Sequence, residues 1–164
     1  MNEDLNYFVN NREVIKALRL NTGTSSVPVF TNMCTTSEIT LNTDFEEKTF
    51  YVFCDAIQRA ILTGAALGLD TTVKIDMNNQ AIQSTLKNLK ALIVNGSIAQ
   101  FNNQLIQFDL LTDINEGILE YTTFQVAANL KISDLGGAAE DEGEYSLEIT
   151  FNGKGQEISA QPSI

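Results

Sequence analysis

The spacing of apolar positions changes along the chain, and only one stretch carries a clear helical period. Between Asp76 and Gly96, Ile82, Leu86, Leu89 and Ile93 recur at a helical spacing, with Gln83, Lys87 and Lys90 on the other side. Such spacing puts the four apolar residues on one face of a helix. Asp76, Asn78 and Asn79 offer oxygens to the free N–H groups of its first turn, and Asn95-Gly96 supplies a left-handed stop. From Asn79 to Val94 it should measure about 24 Å. Nearly everything else reads as strand, so this helix is expected to lie across a sheet as a cover.

The clearest alternation runs from Thr123 to Ile132. Phe124, Val126, Ala128, Leu130 and Ile132 point one way, and Thr123, Gln125, Ala127, Asn129 and Lys131 the other. Its partner alternates Tyr145, Leu147, Ile149 and Phe151 with Ser146, Glu148 and Thr150. Between them, Ser133–Glu144 holds Gly136-Gly137 and Glu140-Asp141-Glu142, which predicts a long hairpin with an exposed acidic tip. Shorter signals precede it. Arg12–Leu20 fits a short helix or a first strand, and Asn21–Ser26 ends it. Ser37–Asn42 is a half-buried strand with Ile39 and Leu41 inward. Ala60–Ile75 is another, with Leu67, Leu69, Thr71, Val73 and Ile75 on one face and glycines at 64 and 68 for a bend or bulge. Ile98–Leu111 reads as a strand, closed by the hairpin connection Asp113–Gly117.

Thr43–Arg59 resists this treatment. Asp44, Glu46, Glu47 and Asp55 alternate with Phe45, Phe50, Tyr51 and Phe53 without a steady period. It is either a strand near Thr49–Cys54 with a loop, or a long loop that contacts a partner. Residues 1–11 read as a polar N-terminal arm and 156–164 as a C-terminal tail, leaving one domain at 12–155. The expected fold is mainly β: an antiparallel β-sandwich of two sheets with one flanking α-helix.

Composition narrows the function. At 164 residues and 43% hydrophobic content the chain suits one core, and its net charge of −11 disfavours binding nucleic acid through phosphates. Met1-Asn-Glu-Asp4 lacks the regions of a signal peptide, and no apolar run reaches membrane-span length, so a soluble protein made in the cytoplasm is expected, with no membrane partner. Histidine is absent, which removes Ser-His-Asp and Cys-His catalysis and most transition-metal sites. Cys34 and Cys54 match no zinc or redox spacing and read as small core residues. Acidic pairs such as Glu46/Glu47 lack an environment that would split their pKa values. Asp141, Glu142 and Glu144 lack a calcium-loop pattern. Gly153-Lys154-Gly155 lacks the rest of a phosphate loop. No enzyme, metal site or cofactor is expected.

Several phrases in order resemble the major tail (tail tube) proteins of long-tailed bacteriophages. They are Pro28-Val-Phe30, Glu38-Ile-Thr-Leu41, Phe45-Glu-Glu-Lys48, Cys54-Asp-Ala56, Leu62-Thr-Gly64, the single helix, and Ser146-Leu-Glu-Ile-Thr-Phe-Asn-Gly153. The resemblance spans residues 12 to 155 and implies a β-sandwich with one helix, shared with contractile-tail and type VI secretion tubes. It implies homo-oligomeric hexameric rings whose inner sheets close into one barrel and stack into a hollow tube in the virion. DNA would pass through that lumen without specific binding, and the tape measure and tail terminator would be further partners. Stacking contacts would come from residues 1–11, 43–59 and 156–164, with Phe45, Glu46, Glu47, Phe50, Tyr51 and Phe53 as candidates. Asp109, Glu120 and Glu148 are candidates for an acidic lumen. A contractile-tail or secretion tube, and a binding or adhesin β-sandwich, are the alternatives; the absence of Trp weighs against a sugar-binding platform.

Overall fold

The computed structural model describes residues 8–52, 54 and 57–158. A single helical turn, α1 (Asn11–Val14), leads into β1 (Ile15–Asn21), β2 (Phe30–Asn32), β3 (Thr36–Tyr51) and β4 (Gln58–Lys74). The long helix α2 (Gln80–Asn95) and a 3-10 turn at Ala99–Phe101 follow. Then come β5 (Gln104–Asn115), β6 (Ile118–Ser133), β7 (Glu144–Phe151) and β8 (Gln156–Ile158). The described strands pair antiparallel throughout, so the mainly β fold with one flanking helix is the one observed.

The two sheets expected from sequence are joined as one hydrogen-bonded sheet, ordered β2-β1-β5-β6-β7-β4-β3, with β8 added to β6. The link is β6, a strand of 16 residues. Its residues 118–128 pair with β5, and 128–133 run past the end of β5 to pair with β7. A strand that changes partners along its length carries the ladder round a corner. The sheet thereby coils about one core, in which Phe108 of β5 lies 5.6 Å from both Phe124 of β6 and Phe151 of β7. Leu18, Leu69, Val73, Ile106, Tyr145, Leu147 and Ile149 fill its centre. At Gly68 a Cβ would sit 2.5 Å from the Ile149 carbonyl oxygen, so the close approach of β4 to β7 requires glycine there.

The termini of α2 are as expected. Asn79 Oδ1 accepts from the Ala81 N–H at 2.9 Å, and Gly96 takes a left-handed φ of 66°. Its buried face is not. Ala81, Ile82 and Thr85 are buried, whereas Leu86 and Ile93 are exposed and Leu89 is only half-buried. The helix covers the core with its first turns, and its C-terminal half overhangs.

Other expectations are corrected locally. Arg12–Leu20 is both a helical turn and a strand. The strand expected from Ile98 starts at Gln104, because the 3-10 turn and the positive φ of Asn103 intervene. The five-residue hairpin connection is a two-residue turn, with φ of 51° at Glu116 and 80° at Gly117, the signs that a tight β-hairpin needs. Residues 156–158 of the expected tail are strand β8. Cys34 and Cys54 are exposed, in the connection from β2 to β3 and at the β3–β4 turn, where no core reaches them.

Candidate assembly surfaces

Thr43–Arg59 proves to be the far half of a long hairpin. β3 pairs with β4 from Thr36↔Val73 out to Tyr51↔Gln58. β7, however, pairs with β4 only over residues 68–74. Beyond Gly68 the hairpin therefore leaves the sheet, and the side chains of β4 from residue 58 to 67 are all exposed.

The register shows what this arm presents. Residues opposite each other share a face. Leu41↔Leu69 and Thr43↔Leu67 lie on the core side, followed by Phe45↔Ala65. The register then shifts, Glu46 opposing Gly64 and Glu47 opposing Leu62. The extra residue is Thr63, a bulge that keeps Leu62 on the side of Phe45. One face of the arm thus carries Phe45, Tyr51, Ala60, Leu62, Ala65 and Leu67, with Glu47, Thr49 and Gln58 among them. It continues the apolar face of the core into solvent, with Phe45 56% and Leu62 64% exposed. The opposite face carries Asp44, Glu46, Lys48, Phe50, Arg59 and Ile61.

The six candidate residues of this stretch are thereby divided. Phe45, Glu47 and Tyr51 share the core-side face, Glu46 and Phe50 the other, and Phe53 lies outside the described residues. Sequence reasoning had the return strand from Ala60 onward, but not its pairing with Thr43–Tyr51. Leu62 and Leu67 complete the apolar face, but the bulge breaks their alternation, and only Gly64 beside it hinted at the irregularity.

Strand directions gather other features at the same end. With antiparallel neighbours throughout, the β3–β4 tip, the β5–β6 turn and the start of β1 all lie at one end of the sheet. β8 also runs toward that end, since Gln125↔Gln156 precedes Thr123↔Ile158. Ile114 and Ile118 are exposed beside the β5–β6 turn. The other end carries the Thr22–Val29 turn, the approach to α2 and the acidic Ser133–Glu144 loop, with Val27, Met77 and Leu135 exposed. The two ends are chemically different surfaces.

The outer face of the sheet is polar. Across β3, β4, β7 and β6 runs a row of Thr40, Asp70, Glu148 and Lys131, and beside it a row of Glu38, Thr72, Ser146 and Ser133. Asp70 accepts from the Asn42 amide. Glu148 is exposed and only 4.0 Å from Lys131. Asp109 shares this face but is held by a two-point pair, Arg19 Nη1 to Oδ1 at 3.1 Å and Nη2 to Oδ2 at 2.8 Å, and by Thr123 Oγ1 at 2.6 Å. Burial raises the Asp109 pKa, but the Arg19 and Thr123 hydrogen bonds and the Arg19 charge outweigh it and leave the carboxyl below its ordinary value. Lys74 pairs with Glu144 at 2.6 Å. Each of these three bases thus faces an acid. Alternation along β6 puts Glu120 on the side of Val126, away from Asp109 and Glu148.

No family model and no curated protein matches the chain. Solved structures do. A chain of the tail of an empty gene transfer agent particle, refined with C6 symmetry, matches with a TM-score of 0.57 at 11% identity, over 93% of this chain and 100% of that one. A chain of the sheath–tube complex of an extracellular contractile injection system, PVC, in its extended state gives 0.52 at 10% identity, over 94% and 95%. The SPP1 tail tube gives 0.51 at 16% identity, over 90% and 78%. The chain therefore has a tail tube-like fold.

Proposed function

We propose that this chain is the structural subunit of a phage tail tube, assembling as hexameric rings that stack head to tail into a hollow conduit for DNA. The observation that carries the reading is the β3–β4 arm, whose apolar face extends the core face into solvent. A monomer gains nothing by holding Phe45 and Leu62 in water, whereas a second copy removes that area from it. Because the two ends of the subunit differ, a contact between them is heterologous. Repeated contacts of that kind give rings or open polymers rather than closed dimers. Among the described residues the arm also leaves two strand edges unpaired, residues 43–51 of β3 and 60–67 of β4, which suit side-to-side pairing around a ring.

The polar outer face suits a lumen. Uncharged Ser and Thr alternate there with charged side chains, Arg19, Lys74 and Lys131 each face an acid, and the net charge of −11 repels phosphate, so DNA slides rather than sticks. Asp109 and Glu148 belong to this bore; Glu120 belongs to the ring-stacking end. In this reading the protein works in the virion tail, and the tape measure and tail terminator are its neighbours. Negative-stain microscopy of the concentrated protein tests it. Hollow tubes of uniform diameter are expected, and a monodisperse monomer at every concentration and salt would refute it. Duplex DNA should not be retained even at low salt, where attraction is strongest; salt-sensitive micromolar binding would remove the passive-conduit element.

A further inference from the structure

β1 and β3 are the strands beside the two ends of the sheet, and their proximal edges face each other without pairing. β2 covers β1 only at Arg19–Asn21, and Met33 N–H adds a bond to the Leu18 carbonyl. Among the described residues, nothing pairs with that side of Ile15–Ala17 or with the side of β3 turned away from β4. Between the edges lies a cleft of about 800 Å³, floored by Ile15, Leu18, Met33, Ile39, Leu41 and Leu110. Its long wall, Thr36 to Leu41, spans about 20 Å at the strand rise. At roughly 130 Å³ per residue, in the range set by close packing, the volume suits about six residues in extended form. The coiled sheet is therefore open by one strand, with backbone donors and acceptors on both sides and an apolar floor beneath.

We infer that this cleft is a strand-acceptor site, filled by residues 1–7 of a second copy of this chain. The occupant follows from where the chain goes. Phe8 is 88% exposed and Val9 is exposed, and neither lines the cleft, whereas Asn11, Arg12 and Val14 do. Phe8 and Val9, which join residues 1–7 to the rest of the chain, thus lie outside the cleft. That segment has the right length, and its Leu5 and Tyr7 alternate with Asp4 and Asn6 as a strand requires. Its acids Glu3 and Asp4 suit a lining that carries Arg12 and Lys16 against Glu38 alone. The opposite terminus suits the cleft poorly, because Pro162 would remove a ladder donor. Strand addition gives affinity through main-chain hydrogen bonds and register through alternate side-chain pockets. Inserted between antiparallel edges, the donor lies parallel to one and antiparallel to the other.

This inference rests on the assembly reading and is tested apart from it. The full chain is prepared with a photoreactive benzophenone side chain at position 6, mixed in equal amount with isotope-labelled full chain, and assembled before irradiation. Mass spectrometry is expected to find the probe joined to residues 12–18 or 33–41 of the other isotope form. Amides of Ile15–Ala17 and Ile39–Leu41 should exchange at least ~10-fold more slowly in the assembled form than in the monomer. Tubes whose cross-links fall outside the cleft, or join only residues of one isotope form, overturn the acceptor site and leave the tube reading standing. Absence of both tubes and cross-links overturns both.

Discussion

The apolar face of the β3–β4 arm makes a prediction whose size follows from exposure. Phe45 is 56% and Leu62 64% exposed. A fully exposed aromatic presents about 200 Å² and a leucine somewhat less, so a neighbouring subunit removes on the order of 100 Å² from water at each residue. At about 25 cal/mol per Å², that is roughly 2.5 kcal/mol per side chain, or about 5 kcal/mol per subunit contact. Such a loss weakens one contact by more than ~1,000-fold, and every subunit of a ring suffers it at once. The double variant Phe45→Ser, Leu62→Ser is therefore expected to abolish tubes in sedimentation and microscopy.

The same variant should remain folded. Both side chains sit beyond Gly68, where β4 has parted from β7, so fraying of the arm does not open the core. Its melting curve should stay cooperative and shift by no more than a few degrees. Tubes that form at the wild-type concentration would refute the burial of this face. A variant that loses its cooperative transition would show instead that the arm belongs to the core.

Three further outcomes follow from the core and the ion pair. Ile82→Ala, at 1% exposure, should cost about 2–5 kcal/mol in denaturant unfolding, whereas Ile93→Ala, at 77%, should change stability by only a few tenths; equal effects would mean that the helix face is wrongly placed. Tyr145 Oη is buried without a well-aligned hydrogen bond among the described residues, so Tyr145→Phe should be neutral or stabilising by up to ~1 kcal/mol, and a loss above ~1 kcal/mol would reveal a partner. The Asp109 carboxyl is held below its ordinary 3.8 in the folded state, so the stability it contributes is present above that value and is lost as pH falls through the lower folded value; Asp109→Asn should flatten the stability curve below about pH 4, and an unchanged acid limb would show that the pair contributes nothing.

How far the sequence speaks for this fold depends on where a residue's partners lie. The β6–β7 alternation was legible because Val126, Ala128, Leu147 and Ile149 face one core, and the caps of α2 because Asn79 and Gly96 act on neighbouring backbone. The buried face of α2 was not legible. A helical period gives the apolar stripe, but the sheet reaches only as far as Thr85, which leaves Ile93 as apolar as Ile82 and far more exposed. Thr43–Arg59 looked irregular for two physical reasons. Among the described residues neither face of the arm is covered within the subunit, so no core of its own dictates the alternation there, and the Thr63 bulge shifts the phase of β4 against β3. The alternation from Phe124 carried back to Glu120 already puts it on the side of Val126, whereas the face of Asp109 follows from its pairing with Thr123.

The irregular stretch and the open cleft have one physical cause. A closed, self-sufficient barrel would pair every edge and bury every long apolar face. Among its described residues this chain leaves a strand's width open between β1 and β3 and carries the β3–β4 hairpin past the end of its own sheet. Both defects lie on β3, the proximal half edging the cleft and the distal half forming the arm. Completing the cleft fixes the proximal half, and the continuous pairing from Thr36 to Tyr51 would then set the angle at which the arm leaves the sheet. Strand insertion and burial of the arm should accordingly couple, each lowering the entropy lost in the other.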